Sequence, residues 1–329
     1  MFTVIIGLVA ALIFGSADFL GGLAAKRISP IRVTAITAAA GLVLLLAVAP
    51  FVGGSWSPSA ILWGGLSGVT GAIAISLLYA CLAIGPMSIL SPLTAVVSAV
   101  IPMSWGLIGG DRFAPIGYAA LALALVAVVL VGFVPERGAV RPSLRGILMA
   151  IGSGLMIGVF MILIDATPHE SGLVPLIMNR GVNAAIMFST VGLITLWHRR
   201  GRRVSVLADV TRGVTSSVTG GVTGWVTTAG GHGTADGGSA DDGSAAPARG
   251  GWRPGIVLAT AGGLVDATAN ILMLVGMRIG DLSVIAVLTA MYPAGTIILA
   301  AVVLRERIAP VQWVGLVLAV GAAGMLALA

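Results

Sequence analysis

The chain has 329 residues, of which 58% are hydrophobic and only 9% charged, with a mean hydropathy of +1.08. A water-soluble domain carries about 25% charged residues, so a soluble fold is excluded and the backbone has to satisfy itself inside hydrocarbon, as helices or as a closed barrel. The net charge of +6 does not point to nucleic acid, because the basic residues sit in short clusters between apolar runs, where membrane topology explains them.

Long apolar runs without period-two polarity favour helices over barrel strands, and roughly 20 such residues cross the hydrocarbon core. In chain order the predicted spans are Thr3 to Ala25, Val33 to Gly53, Ala60 to Ile84, Met87 to Ile108 and Ile116 to Val134. Gly146 to Ile164, Leu173 to Trp197, Gly255 to Met277, Leu282 to Leu304 and Val311 to Leu328 follow. The first lacks a basic leading region and its apolar stretch is longer than that of a secretory leader, so it reads as a span. Two tight links, Gly85-Pro86 and Gly280-Asp281, supply turn residues where the chain reverses. The segment from His198 to Arg253 differs from all of this: four arginines (Arg199, Arg200, Arg202, Arg203) lead into Gly, Ser, Thr and Ala, with Val-Thr recurring from Val210 to Val226. That composition predicts a flexible loop that neither spans a membrane nor builds a core. Cys81 is the only cysteine and lies in an apolar run, which excludes a disulfide framework or a Cys-based zinc site within one chain. No cofactor and no metal are expected.

Charge orients the bundle. Outside the spans, 15 Lys and Arg residues fall on one side, in the clusters around Arg27, Arg141, Arg199 to Arg253 and Arg305, against Arg112 and Arg278 on the other. The positive-inside rule assigns the first side to the cytoplasm. The protein is then expected in the inner membrane, with the loop 198–253 cytoplasmic and both termini extracytoplasmic.

An internal repeat accompanies the spans. Shifting positions by 195 without a gap matches Gly85, Ser88, Leu93, Thr94, Ala95, Ala99, Arg112, Ala114 and Pro115 to Gly280, Ser283, Leu288, Thr289, Ala290, Ala294, Arg307, Ala309 and Pro310, with Asp111 answering to Glu306. Earlier in each half a shift of 139 matches Gly7, Ala11 and Gly15 to Gly146, Ala150 and Gly154. The expected fold is therefore an all-α membrane protein of ten transmembrane helices built as two inverted five-helix repeats, residues 1–138 and 146–329, the second interrupted by the loop 198–253. Five helices per repeat force the copies into opposite orientation, the architecture in which two halves rock around a mid-membrane site.

At these residues the sequence resembles the drug/metabolite transporter superfamily, specifically its EamA-like ten-helix carriers. The resemblance rests on FGSADFLGG from Phe14 to Gly22, Gly-Asp-Arg at Gly110 to Arg112, Arg-Glu-Arg at Arg305 to Arg307 where the family usually has Gly-Glu-Arg, and Met291-Tyr292-Pro293. It implies ATP-independent export or import of metabolites, amino acids or drugs through a cavity lined mainly by helices 1, 3, 4, 6, 8 and 9. The family pattern also places an arginine early in the second helix of each half, a position held here by Arg180 and by Thr37.

Ionisable residues inside the hydrocarbon are functional candidates by default, and three qualify: Asp18, Arg180 and Asp266. At 1.5 Å per residue, Asp266 lies about 17 Å from the cytoplasmic face, Arg180 about 10 Å from the opposite face, and Asp18 about 10 Å above the cytoplasmic boundary, as an entrance or solvated residue. Two roles stand for Asp266 and Arg180. They form a structural ion pair between helices 7 and 8, or Arg180 snorkels outward and leaves the Asp266 carboxylate to take a substrate amine or a coupling proton; the shallow depth of Arg180 favours the second. Gly262, Asp266 and Asn270 share one stripe, Thr289, Tyr292 and Thr296 another beside Pro293, and Ser88, Ser91 and Ser98 a third with Pro92 and Pro102. Prolines in spans free backbone carbonyls for ligands. Tyr79 in helix 3 completes the candidate set. Asp111-Arg112 and Glu306-Arg307 at helix ends read as structural, and Trp63, Trp105 and Trp313 as an aromatic belt.

No enzyme motif is present: there is no His-Glu-x-x-His and no P-loop, and neither Asp18 nor Asp266 has the context of an intramembrane aspartyl protease. The expected function is secondary transport of a small metabolite, amino acid or drug by alternating access, with lipid, the substrate and protons as the partners and nucleic acid excluded. A membrane enzyme using Asp18 and Asp266, or a receptor or scaffold acting through the loop 198–253, are the alternatives.

Overall fold

The computed structural model describes residues 1–25, 27–84, 87–132, 143–193, 252–303, 305 and 309–328. The predicted loop lies outside them except for Trp252 and Arg253, which already begin a helix, and so do the Gly85-Pro86 link and Glu306-Arg307. Each predicted span is matched by helix among the described residues: α1 Phe2–Ala25, α2 Pro30–Val52, α3 Pro58–Ile84, α4 Met87–Gly109, α5 Pro115–Gly132, α6 Leu144–Asp165, α7 over 174–193 and α8 Trp252–Ile279. The ninth span comprises α9 Leu282–Thr289 and α10 Tyr292–Val303, and the tenth is α11 Pro310–Leu328. Among the described residues nine spans are long and apolar enough to cross a membrane, which makes this a multi-pass helical membrane protein.

Helix starts differ from the sequence expectation in a systematic way. Expected starts fell on the first strongly apolar residue, whereas α2, α3, α5 and α11 begin two or three residues earlier, or one, on a proline. Proline suits the first helical position, because its fixed φ is already helical and its missing N–H would have had no partner there. The larger difference is in span nine, expected as one helix. It breaks at Ala290–Met291, since Pro293 has no N–H for the carbonyl of Thr289 and instead opens the first turn of α10.

The packing surfaces are built from small residues. Ala95, Ala99, Ala120, Ala124 and Ala127 are fully buried between α4, α5 and α11, while Val43, Leu46, Leu62, Val302 and Val317 point outward and are exposed. Hydrocarbon offers no hydrophobic drive between helices, so small residues that admit close contact belong inside and branched ones face lipid. Trp105 and Trp313 are exposed near helix ends, on opposite ends of the bundle, as a belt requires. The principal pairings are α1 with α8, α3 with α6, α5 with α11, α4 with α6, α2 with α8 and α1 with α10.

Connections separated by an even number of spans share an end of the bundle. At one end Ser55 donates from both its N–H and its hydroxyl to the Glu170 carbonyl, at 2.9 and 3.2 Å. Arg278 at the close of α8 donates to the carbonyl and the hydroxyl of Thr167, at 2.6 and 2.5 Å. Asp111 also acts here: its Oδ2 accepts from the N–H and hydroxyl of Ser283 at 3.2 and 2.6 Å. It thereby supplies the N-terminal cap of α9, which Asp281 at the N-cap position does not. Arg27 and Ile28 meet Gly255 at the other end, where Arg32, Arg145, Arg253 and Arg305 also lie.

Candidate functional site

The fold brings the mid-helix polar residues around one cavity of about 230 Å³. Each wall has a local reason. α1 can lie against the broken ninth span because position 15 is glycine: a Cβ there would come within 2.6 Å of the Thr296 N and 2.7 Å of the Gly295 Cα. The Thr296 hydroxyl donates across that crossing to the Gly15 carbonyl at 3.1 Å. The crossing sets Phe14 and Asp18 of α1 opposite Thr289 and Tyr292. On the far side, α7 approaches α3 through Gly64 and Gly68, whose added Cβ atoms would meet Pro175 and Asn179 backbone at 2.7 and 2.6 Å. That approach aims Asn179, Arg180 and Asn183 inward.

Six of the eight sequence candidates line this cavity: Asp18, Arg180, Asp266, Asn270, Thr289 and Tyr292. Tyr79 and Ser91 lie in α3 and α4, and their side chains are outside the described residues. Helices 1, 3, 4, 6, 8 and 9 all contribute, as the family resemblance implies, but α7 does too. α2, its counterpart in the first half, contributes no lining residue; Thr37 there donates to Thr34 and packs on Gly263 of α8.

Arg180 does not snorkel outward. Its guanidinium donates to Oδ2 of Asp266 and forms an ion pair with it, the two side chains 12% and 27% exposed. The expectation that Asp266 is free for an amine or a proton is thereby corrected. Depth along the helix was a poor guide because the arginine stem turns inward, where a carboxylate in low dielectric attracts it more strongly than the interface does. Asp18, by contrast, is exposed to the cavity, and no ion pair reaches it among the described residues.

Several hydrogen-bond donors of the cavity wall are engaged within the protein. The Thr289 hydroxyl donates to the carbonyls of Ile285 and Ala286 at 2.6 and 3.2 Å, and the Ser98 hydroxyl to Ala95 at 2.8 Å. Asn270 Nδ2 donates to the Asp266 carbonyl at 2.8 Å, and Asn179 Nδ2 to the Ser67 hydroxyl at 2.9 Å. Asn183 is buried, and its Oδ1 has no hydrogen-bond partner among the described residues. Sequence reasoning missed Asn179 and Asn183; their signal was a polar cluster at 179, 180 and 183, on one helix face inside an otherwise apolar run.

Residues 242–328, which include helices α8 to α11, are similar to the EamA-like transporter family. No curated protein matches the sequence. A solved crystal structure is similar over 99% of this chain and 98% of its own, at 16% identity and a TM-score of 0.65, which establishes that the whole chain shares a known fold.

Proposed function

We propose that the protein is a secondary transporter that carries a small molecule across the membrane by alternating access around the cavity of α1, α3, α4, α6, α7, α8 and the broken ninth span. The carrying observation is the discontinuous helix: α9 and α10 part at Ala290–Met291, beside Thr289 and Tyr292 in the cavity wall. A break in the hydrocarbon region is tolerated where it lines a cavity, and such breaks mark the substrate sites of transporters.

Two features support two inverted repeats, 1–138 and 146–329, as the moving parts. Exchanging the halves turns the α1–α8 pairing into α6–α3, and α2–α8 into α7–α3, all of them present. Gly15 and Gly154, matched in sequence, play one part twice: Gly15 admits α10, and Gly154 admits α4 with the Thr94 carbonyl 2.7 Å from its added Cβ. Orientation follows charge. Arg27, Arg32, Arg145, Arg253 and Arg305 lie at one end and Arg112 and Arg278 at the other, so the first end faces the cytoplasm of an inner membrane and both termini face away from it.

The enzyme alternative is weakened by the ion pair, because an aspartyl pair works by sharing one proton between like neighbours and Asp266 has Arg180 instead. The test is unbiased uptake: proteoliposomes exposed to a cell metabolite extract should accumulate specific compounds relative to empty vesicles, read by mass spectrometry. An extract from which nothing enters, with protein shown to be folded and inserted, overturns the transport reading.

A further inference from the structure

The cavity's charge and hydrogen-bonding groups define what it can hold. Three ionisable residues, Asp18, Arg180 and Asp266, line it together with Tyr292. Arg180 and Asp266 neutralise one another, which leaves one carboxylate, that of Asp18, unbalanced. An uncompensated charge within the hydrocarbon span is costly, so the ligand that fits is one that brings the opposite sign. The hydrogen-bonding groups agree. Ser98, Thr289, Asn179 and Asn270 each turn a donor onto a protein acceptor; beside the outer N–H groups of Arg180 and the Tyr292 hydroxyl, the cavity has two acceptors without a partner among the described residues, Asp18 and Asn183 Oδ1. The complement of two spare acceptors is a donor-rich cation. The rest of the wall is apolar and partly aromatic, with Phe14, Phe160 and Ile75, and aromatic faces attract a desolvated cation further. At about 230 Å³ the space falls below the roughly 300–1,000 Å³ of drug-sized pockets, which selects a metabolite-sized body.

We infer that the cavity binds a small organic monocation, a protonated amine on a compact apolar body, with Asp18 as its counter-ion and the Asn183 amide oxygen as a second acceptor for its N–H groups. This rests on the transport reading above and names its substrate class. A zwitterion is the rival, with its carboxylate on the remaining N–H groups of Arg180, but it would leave the net charge of the cavity unchanged.

Phenethylammonium, 2-phenylethanol, 3-phenylpropionate and phenylalanine share one body and differ in charge. Thermal stabilisation of the purified full-length protein should be saturable with phenethylammonium, or with the smaller butylammonium, and absent with the neutral and anionic analogues. Asp18→Asn should weaken that binding by at least about tenfold, as loss of a charge-assisted contact does, with Asp18→Glu restoring it in part. Tighter binding of phenylalanine than of phenethylammonium overturns the proposal in favour of a carboxylate subsite at Arg180. Stabilisation by neither ammonium ion, or equal binding to folded Asp18→Asn, also overturns it. The proteoliposome uptake separates this from the transport reading: if the accumulated compounds are neutral or anionic, transport stands and the cation proposal falls. If nothing enters while phenethylammonium still binds through Asp18, the site stands and transport falls.

Discussion

The two carboxylates of the cavity sit on adjoining helices, α1 and α8, and have opposite fates. On the α7–α8 side Asp266 is locked to Arg180, and its neighbour Asn270 is tied to the Asp266 backbone; on α1 Asp18 faces the open space, and no ion pair reaches it among the described residues. Both are aspartates within apolar helices, so residue type does not separate them. What separates them is whether a partner on an adjacent helix reaches the group, since in a low-dielectric setting one opposite charge outweighs every weaker contact. The paired acid becomes part of the scaffold, and the unpaired one is left available to a ligand.

The most severe way to break this comparison is to move the walls themselves. Gly15→Leu places a branched side chain against the backbone of Gly295 and Thr296, an overpacking that costs about 3 kcal/mol or more. The variant should fail to accumulate as folded protein, and Gly154→Leu should behave alike if the repeats are equivalent; size-exclusion profiles of the solubilised protein check both. Next in size is the pair. Arg180→Gln strands Asp266 and should cost about 3 kcal/mol, the lower end for a buried pair because Asp266 keeps 27% of its side chain exposed. The double change Arg180→Met with Asp266→Leu should recover most of that loss, since apolar replacement of a buried pair is often neutral. Wild-type melting of the single variant would show that the two walls do not differ. Asp18→Asn, by the same logic, removes an uncompensated charge and should shift stability by less than about 1 kcal/mol, toward greater stability. A large destabilisation by Asp18→Asn would mean that Asp18, too, is scaffold.

The spans were legible because each apolar run is long and uninterrupted, and the polar stripe of α8 because helical spacing alone assigns a face: Asp266 with Asn270 reaches the cavity as spaced. Gly7, Ala11 and Gly15 were visible as a repeat, and Gly15 works as a crossing point. The Arg180–Asp266 pairing was not legible, because 86 residues separate the partners and rise per residue gives depth without azimuth. Nor was the break at Ala290–Met291. Pro293 signalled a disturbance, but Pro92 and Pro102 sit inside α4, which stays continuous. Whether a span kinks or parts is decided by what its neighbours offer the freed backbone groups, and sequence spacing carries no record of that.

The smallest expected effect concerns the segment between the walls in sequence. All residues that line the cavity precede position 184 or follow position 265, so neither member of the comparison needs the stretch from Ser205 to Ala248. Its composition, rich in Gly, Ser, Thr and Ala and poor in large apolar residues, predicts no buried core of its own. Closing a shorter connection also changes little, because loop entropy depends on length only logarithmically, by about 0.6 kcal/mol per doubling. Deleting Ser205 to Ala248 should therefore leave the melting temperature, the Arg180→Gln penalty and ligand-dependent stabilisation unchanged within error. Proteoliposomes carrying the deletion should accumulate the same compounds at the same rate, and loss of uptake at normal abundance would show that the segment takes part in transport.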